Sequence, residues 1–206
     1  MVKEGKDKKR YDRIARFYDA FEFPMEVLAF SSWRRELLKR IEGTFILEVG
    51  IGTGKNVPFY KEWEVVGVDI SRKMLEKARK RVANERKFVQ LVQADAEALP
   101  FKDEVFDAAI STYVFCSVED PIRGLKELYR VLKRGGRAYF LEHMRSENEV
   151  VGKILDALNP VFSVFGPEIN RRTSENIRRA GFKIVEEVHL MSSIFRLIVA
   201  EKRAQK

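Results

Sequence analysis

From Gly43 onward the chain alternates short, continuous apolar runs with longer stretches in which apolar residues recur every three or four positions. The short runs predict strands at residues 45–49, 65–69, 88–93, 106–111 and 137–143, since a strand buried on both faces reads as an unbroken apolar run. Between them, Ser71 is placed to cap a helix carrying Met74, Leu75, Ala78 and Val82 on one face. Asp120-Pro121 opens another with Leu125, Leu128 and Leu132 inward, closing at Gly135-Gly136. Residues 150–165 form an apolar stretch interrupted at Asn159-Pro160, and 173–181 a short helix. Two further runs, 182–190 and 194–200, have only a tight turn between them and predict an antiparallel edge hairpin. The expected fold class is α/β, a mostly parallel sheet with helices on both faces.

Ahead of this alternation, residues 1–43 read as a helical cap with Met25, Leu28, Ala29, Leu37, Leu38 and Ile41 on one face. Residues 44–144 carry the core, and 145–206 supply an insert, a helix and the hairpin. A length of 206 residues suits one domain with a sizeable core.

Composition narrows the function classes. No apolar run reaches the length of a membrane span, and the lysine-rich start lacks the apolar centre of a signal peptide, so a cytoplasmic protein is expected. One cysteine, Cys116, and two histidines leave no disulfide and no metal cage to expect. A net charge of +8 favours anionic partners, among them a peripheral membrane surface. Nucleic acid is disfavoured as a partner because no nucleic-acid reading motif accompanies the charge.

The first predicted strand runs into Glu48-Val49-Gly50-Ile51-Gly52-Thr53-Gly54, ahead of a segment expected to be helical. Glycine permits the sharp turn and lets a ligand approach the backbone with no Cβ in the way. A dinucleotide fingerprint would need its third glycine at 55, which is lysine. Asp69 ends the second strand fifteen residues after Gly54, where a carboxylate can accept from two ribose hydroxyls. Asp95 follows the third strand and can accept from an adenine amine, with the Ala96 amide donating to a ring nitrogen. Thr112 and Tyr113 end the fourth strand, facing the same crevice.

On these residues the chain resembles the class I S-adenosylmethionine-dependent methyltransferases. Glu48–Gly54 looks like the family's first motif, 65–69 its ribose motif, 95–101 its adenine-edge motif and 132–136 the turn before its fifth strand. Residues 11–19 resemble the opening helix of the subgroup that holds quinone-biosynthesis and phosphatidylethanolamine N-methyltransferases. The resemblance implies a Rossmann-like seven-stranded sheet with an antiparallel last strand, and S-adenosylmethionine as cofactor. It implies cofactor contacts at Glu48, Gly50, Gly52, Gly54, Asp69, Ile70, Met74, Asp95, Ala96 and Thr112, with Glu48 acting through neighbours.

The methyl leaves a sulfonium, so the protein chiefly supplies alignment. His143, ending the fifth strand, is the candidate base or orienting group, and Tyr18 and Tyr113 are candidate acceptor-orienting phenols. Phe21, Phe23, Met25, Phe30 and Trp33 of the cap, with Ile154, Leu155, Val161, Phe162 and Phe165 of the insert, would suit a small lipophilic or phospholipid-like acceptor. Arg171 and Arg172 would meet its phosphate. The alternatives are an RNA methyltransferase, though 111–114 lacks an Asn-Pro-Pro-Tyr-like clamp, and a nicotinamide oxidoreductase.

Overall fold

The computed structural model describes residues 11–12, 24–163 and 168–203. Seven strands, β1 (Phe45–Val49), β2 (Glu64–Asp69), β3 (Val89–Gln93), β4 (Phe106–Thr112), β5 (Leu132–His143), β6 (Lys183–Leu190) and β7 (Phe195–Glu201), form one sheet in the order β3-β2-β1-β4-β5-β7-β6. β1 through β5 pair in parallel, whereas β7 is antiparallel to both β5 and β6. The expected hairpin is present, with β7 threaded inside it against β5 and β6 left at the edge. The order reverses between β1 and β4, so their carboxyl ends open a crevice.

Side-chain alternation divides the core in two. Leu47, Val49, Ala109, Ala138 and Phe140 face one way, under α3 (Pro121–Val131) and α5 (Thr173–Arg179). Ile46, Ala108, Ile110, Tyr139 and Leu141 face the other, under α1 (Ser31–Lys39) and α2 (Arg72–Asn84). The caps form as the residue types require: Ser71 Oγ accepts from the Met74 amide, and Asp120 from those of Ile122 and Arg123.

Four local expectations are corrected. α3 stops at Val131, and Leu132 begins β5 beside Phe106; a register shift then absorbs the Gly135-Gly136 turn into the strand. Leu28 is 79% exposed, because the backbone widens into a π-turn over Glu26–Phe30 and rotates Phe30 inward instead. No α-helix follows the glycine loop. Pro58 has no amide to bond the Gly54 carbonyl, which takes the Val57 amide at 3.0 Å, and the chain tightens into a 3-10 turn over Val57–Phe59. By contrast α4 (Glu149–Phe162) continues through Asn159-Pro160, the Ser163 amide reaching the Asn159 carbonyl at 2.9 Å.

Candidate active site

The crevice at the β1/β4 reversal encloses about 800 Å³. Of the expected contacts, Gly50, Gly52, Asp69, Ile70, Met74, Asp95, Ala96, Thr112 and Tyr113 line it together.

The glycine loop is shaped by what its carbons would hit. A Cβ on Gly50, at φ +67°, would come within 2.3 Å of Val114 Cγ2, so this residue lets the β1 and β4 ends close together. A Cβ on Gly52, at φ +56°, would meet no atom nearer than 3.9 Å, which leaves this flank open to a ligand. The Gly52 amide donates to Asp69 Oδ2 at 2.9 Å, and the Ser71 amide donates to Oδ1 at 2.8 Å. Each carboxylate oxygen retains acceptor capacity on an aimed, pre-oriented group. Burial pushes the Asp69 carboxyl up to about 6, with the two amides pulling the other way, so it is ionised at neutral pH. Asp95 Oδ1 holds the Glu97 amide at 2.9 Å, which shapes the loop that presents Ala96.

Gly54 and Glu48 do not line the crevice, and for Glu48 only an indirect role is expected. Glu48 is buried with its oxygens turned away from the crevice: Asn56 Nδ2 donates to Oε1 at 2.9 Å and Tyr60 donates to Oε2. Burial lifts its carboxyl to about 7, so it braces β1 from beneath. Gly54 is a packing position, because a Cβ there would stand 3.2 Å from Val57 Cγ2 and 3.3 Å from Ala78 Cα.

His143 is also corrected as a candidate base. It does not line the crevice; its ring stands edge-on to Phe195 at 5.0 Å, and Phe195 in turn packs against Tyr113 at 6.0 Å. Burial lowers its pKa to about 4, so it is neutral at physiological pH and holds a proton weakly. Strand alternation is the reason: Glu142, one residue earlier, points to the opposite face. There its Oε1 accepts from Ser111 Oγ at 3.0 Å and the Val114 and Phe115 amides at 3.2 and 3.3 Å. Arg171 is spent inside the protein on the Phe115 and Val118 carbonyls and on Glu168, so it offers no phosphate contact, whereas Arg172 is exposed. Tyr18, Phe21, Phe23 and Phe165 lie outside the described residues.

Several working residues escaped the sequence reading. Arg34 of α1 is only 4% exposed and donates to Thr112 Oγ1 at 2.8 Å and Asn56 Oδ1 at 3.2 Å, tying cap, glycine loop and β4 together. Its guanidinium also lies 5.0 Å from the centre of the Tyr113 ring. Nothing in the local sequence sets Arg34 apart from Arg35 beside it; only its place on the inner face of α1 does. Tyr11 lines the crevice, and Asp12 Oδ1 accepts from Ser71 Oγ at 2.6 Å, fastening the start of the described chain to the cap of α2. Tyr113 itself sits at φ +60°, an uncommon conformation for a non-glycine residue, held by its amide's bond to the Leu141 carbonyl at 2.8 Å.

Known proteins carry the same architecture. Residues 47–140 match the family model described as a methyltransferase domain. A demethylmenaquinone methyltransferase from Symbiobacterium thermophilum is 36% identical over 150 residues, 68% of this chain and 60% of that protein. A phosphatidylethanolamine N-methyltransferase from Cereibacter sphaeroides is 34% identical over 119 residues, 56% of this chain and 59% of that one. The chain thus spans about three fifths of the length of these relatives. The solved structure of an S-adenosylmethionine-dependent methyltransferase from Thermotoga maritima superposes with a TM-score of 0.68 at 28% identity, over 94% of this chain and all of that one. With Asp69 fixed at the end of β2, the open glycine turn and the β3-β2-β1-β4-β5-β7-β6 sheet all in place, the chain is similar to S-adenosylmethionine-dependent methyltransferases, and residues 47–140 match the methyltransferase domain family.

Proposed function

We propose that the protein transfers a methyl group from S-adenosylmethionine to a small lipophilic or phospholipid-like acceptor. The observation that carries the cofactor half is Asp69, fixed by the Gly52 and Ser71 amides at the mouth of a turn whose Gly52 flank is open. Those residues fit an adenosyl group: Asp69 would take the ribose hydroxyls, and Asp95 with the Ala96 amide the adenine edge, with Ile70 and Met74 along the same wall. When bound, the sulfonium supplies the transferable methyl and its own leaving group.

What the protein adds is alignment. Tyr113 closes the acceptor side of the crevice, its ring set between Phe30 at 4.6 Å and the Arg34 guanidinium. Phe30, Trp33 and Phe195 pack behind Tyr113 as a cluster of rings 5.3 to 5.8 Å apart, with His143 against Phe195. An aromatic wall excludes water and suits an apolar acceptor, as do the quinone-pathway and phospholipid methyltransferases among the relatives. Rigid presentation of this kind can contribute roughly 7–11 kcal/mol to lowering a bimolecular barrier. His143 serves here as a neutral support for Phe195 and Tyr113. No described helix is long and apolar enough to cross a membrane, so such an acceptor would be met from the bilayer surface.

The test is incubation with methyl-labelled cofactor and a host extract, fractionated into lipid, small-molecule, RNA and protein pools. Label in the lipid or apolar small-molecule pool is expected; label in RNA or protein overturns the acceptor reading. His143→Ala should slow transfer severalfold while leaving cofactor affinity intact, and an unchanged rate would remove it from the machinery.

A further inference from the structure

Of α4 only Gly152 is buried, and the helix's apolar side faces outward. Val150, Ile154, Leu158, Val161 and Phe162 fall within one arc of the helix and are 70%, 53%, 44%, 60% and 43% exposed. The opposite side carries Gly152, packed so closely that a Cβ would meet the Arg145 guanidinium at 2.7 Å, and Asp156, bonded to Arg145 and Asn170. The outward stripe is about 18 Å long at 1.5 Å per residue. Met191, half exposed in the β6–β7 turn, extends it, since Ser146 Oγ just ahead of the helix donates to the Ser192 carbonyl at 2.6 Å.

We propose that α4 is the element that seats this protein on an anionic lipid surface, lying in the interface with this stripe among the acyl chains. Charge favours that occupant through the chain as a whole, which carries +8; Lys153 is exposed on the flank of the stripe, and Arg172, exposed beyond the helix, stands 3.8 Å from Glu175. A second copy of the chain would carry the same +8 and repel. Position favours it too, because α4 leaves the carboxyl end of β5, the edge where the crevice opens. The segment after it is bonded to the crevice loop, the Glu168 amide to the Cys116 carbonyl at 2.8 Å and Arg171 to the carbonyls of Phe115 and Val118. A membrane under α4 therefore lies beside the crevice mouth. The choice of lipid as occupant rests partly on the lipophilic-acceptor reading.

The experiment is vesicle cosedimentation of the full chain, wild type against Ile154→Gln/Val161→Gln, with calorimetry of S-adenosylhomocysteine binding on the same samples. Both side chains are exposed, so the variant should fold and bind the product normally. Wild type should sediment with phosphatidylglycerol-containing vesicles, less with pure phosphatidylcholine and less in high salt, and the variant should lose roughly tenfold or more of its partitioning. Equal partitioning of the two proteins, or no partitioning of the wild type, overturns the proposal. So does a dimer, seen by sedimentation velocity, that the variant dissolves. Absence of product-binding heat with vesicle binding intact would sink the methyltransferase reading and leave the docking helix standing.

Discussion

Asp69→Asn is the sharpest probe of the site, because it keeps shape and removes charge. In the structure both oxygens are engaged from the protein side, Oδ1 by the Ser71 amide at 2.8 Å and Oδ2 by that of Gly52 at 2.9 Å. Asparagine can accept from only one of them and turns its NH2 toward the other, so the acceptor pair offered to a ribose diol is halved and misdirected. Hydrogen bonds to a charged group contribute about 1.5–3 kcal/mol each. Losing one such bond and weakening the second amounts to about 2–4 kcal/mol, or roughly 30- to 1,000-fold in Kd. Titration calorimetry with S-adenosylmethionine and with S-adenosylhomocysteine is the assay, since both share the ribose and should weaken equally. A folded variant that binds within threefold of wild type would refute the assignment of Asp69 to the ribose. A loss confined to the sulfonium form would show that the carboxylate acts on charge and leaves the ribose to another group.

Other outcomes follow from the buried polar groups. Glu48, Asp69 and Glu142 are raised by burial to about 7, 6 and 7, so the folded state holds protons that the unfolded chain has released, and ionising them opposes folding. His143, lowered to about 4, works in the opposite sense below its ordinary value, but three carboxyls outweigh one imidazole. Urea unfolding should therefore show stability falling from pH 5 to pH 7, each fully shifted group adding a slope of up to about 1.4 kcal/mol per pH unit. A rise over that window contradicts the burial argument. Cofactor affinity should run the other way, weakening as pH drops through about 6 and Asp69 takes up its proton. Arg34→Leu should cost about 3 kcal/mol in chemical denaturation, because it removes the buried guanidinium that holds Thr112 Oγ1, Asn56 Oδ1 and Glu26 together. Gly50→Ala should abolish measurable cofactor binding or unfold the loop, given the 2.3 Å approach to Val114. Near-normal affinity in that variant would mean the β1 and β4 ends can separate at little cost.

Much of this molecule is written locally. Apolar runs, glycine spacing, Ser71 and Asp120 are short-range signals, and they placed seven strands and two helix starts, because strand periodicity and capping depend on neighbours a few positions away. What depended on the tertiary structure is the sidedness of those elements. Alternation along β1 and β5 turned Glu48 and His143 away from the crevice and set Glu142 beneath it, and a one-residue difference in register would have exchanged these roles. Arg34 acquired its function by arriving, from 78 residues away, against Thr112. The stripe on α4 reads in the sequence as an apolar segment suited to an acceptor, since periodicity gives a helix an apolar face but says nothing of what that face meets; only the packed fold shows it outside the crevice and pointing outward.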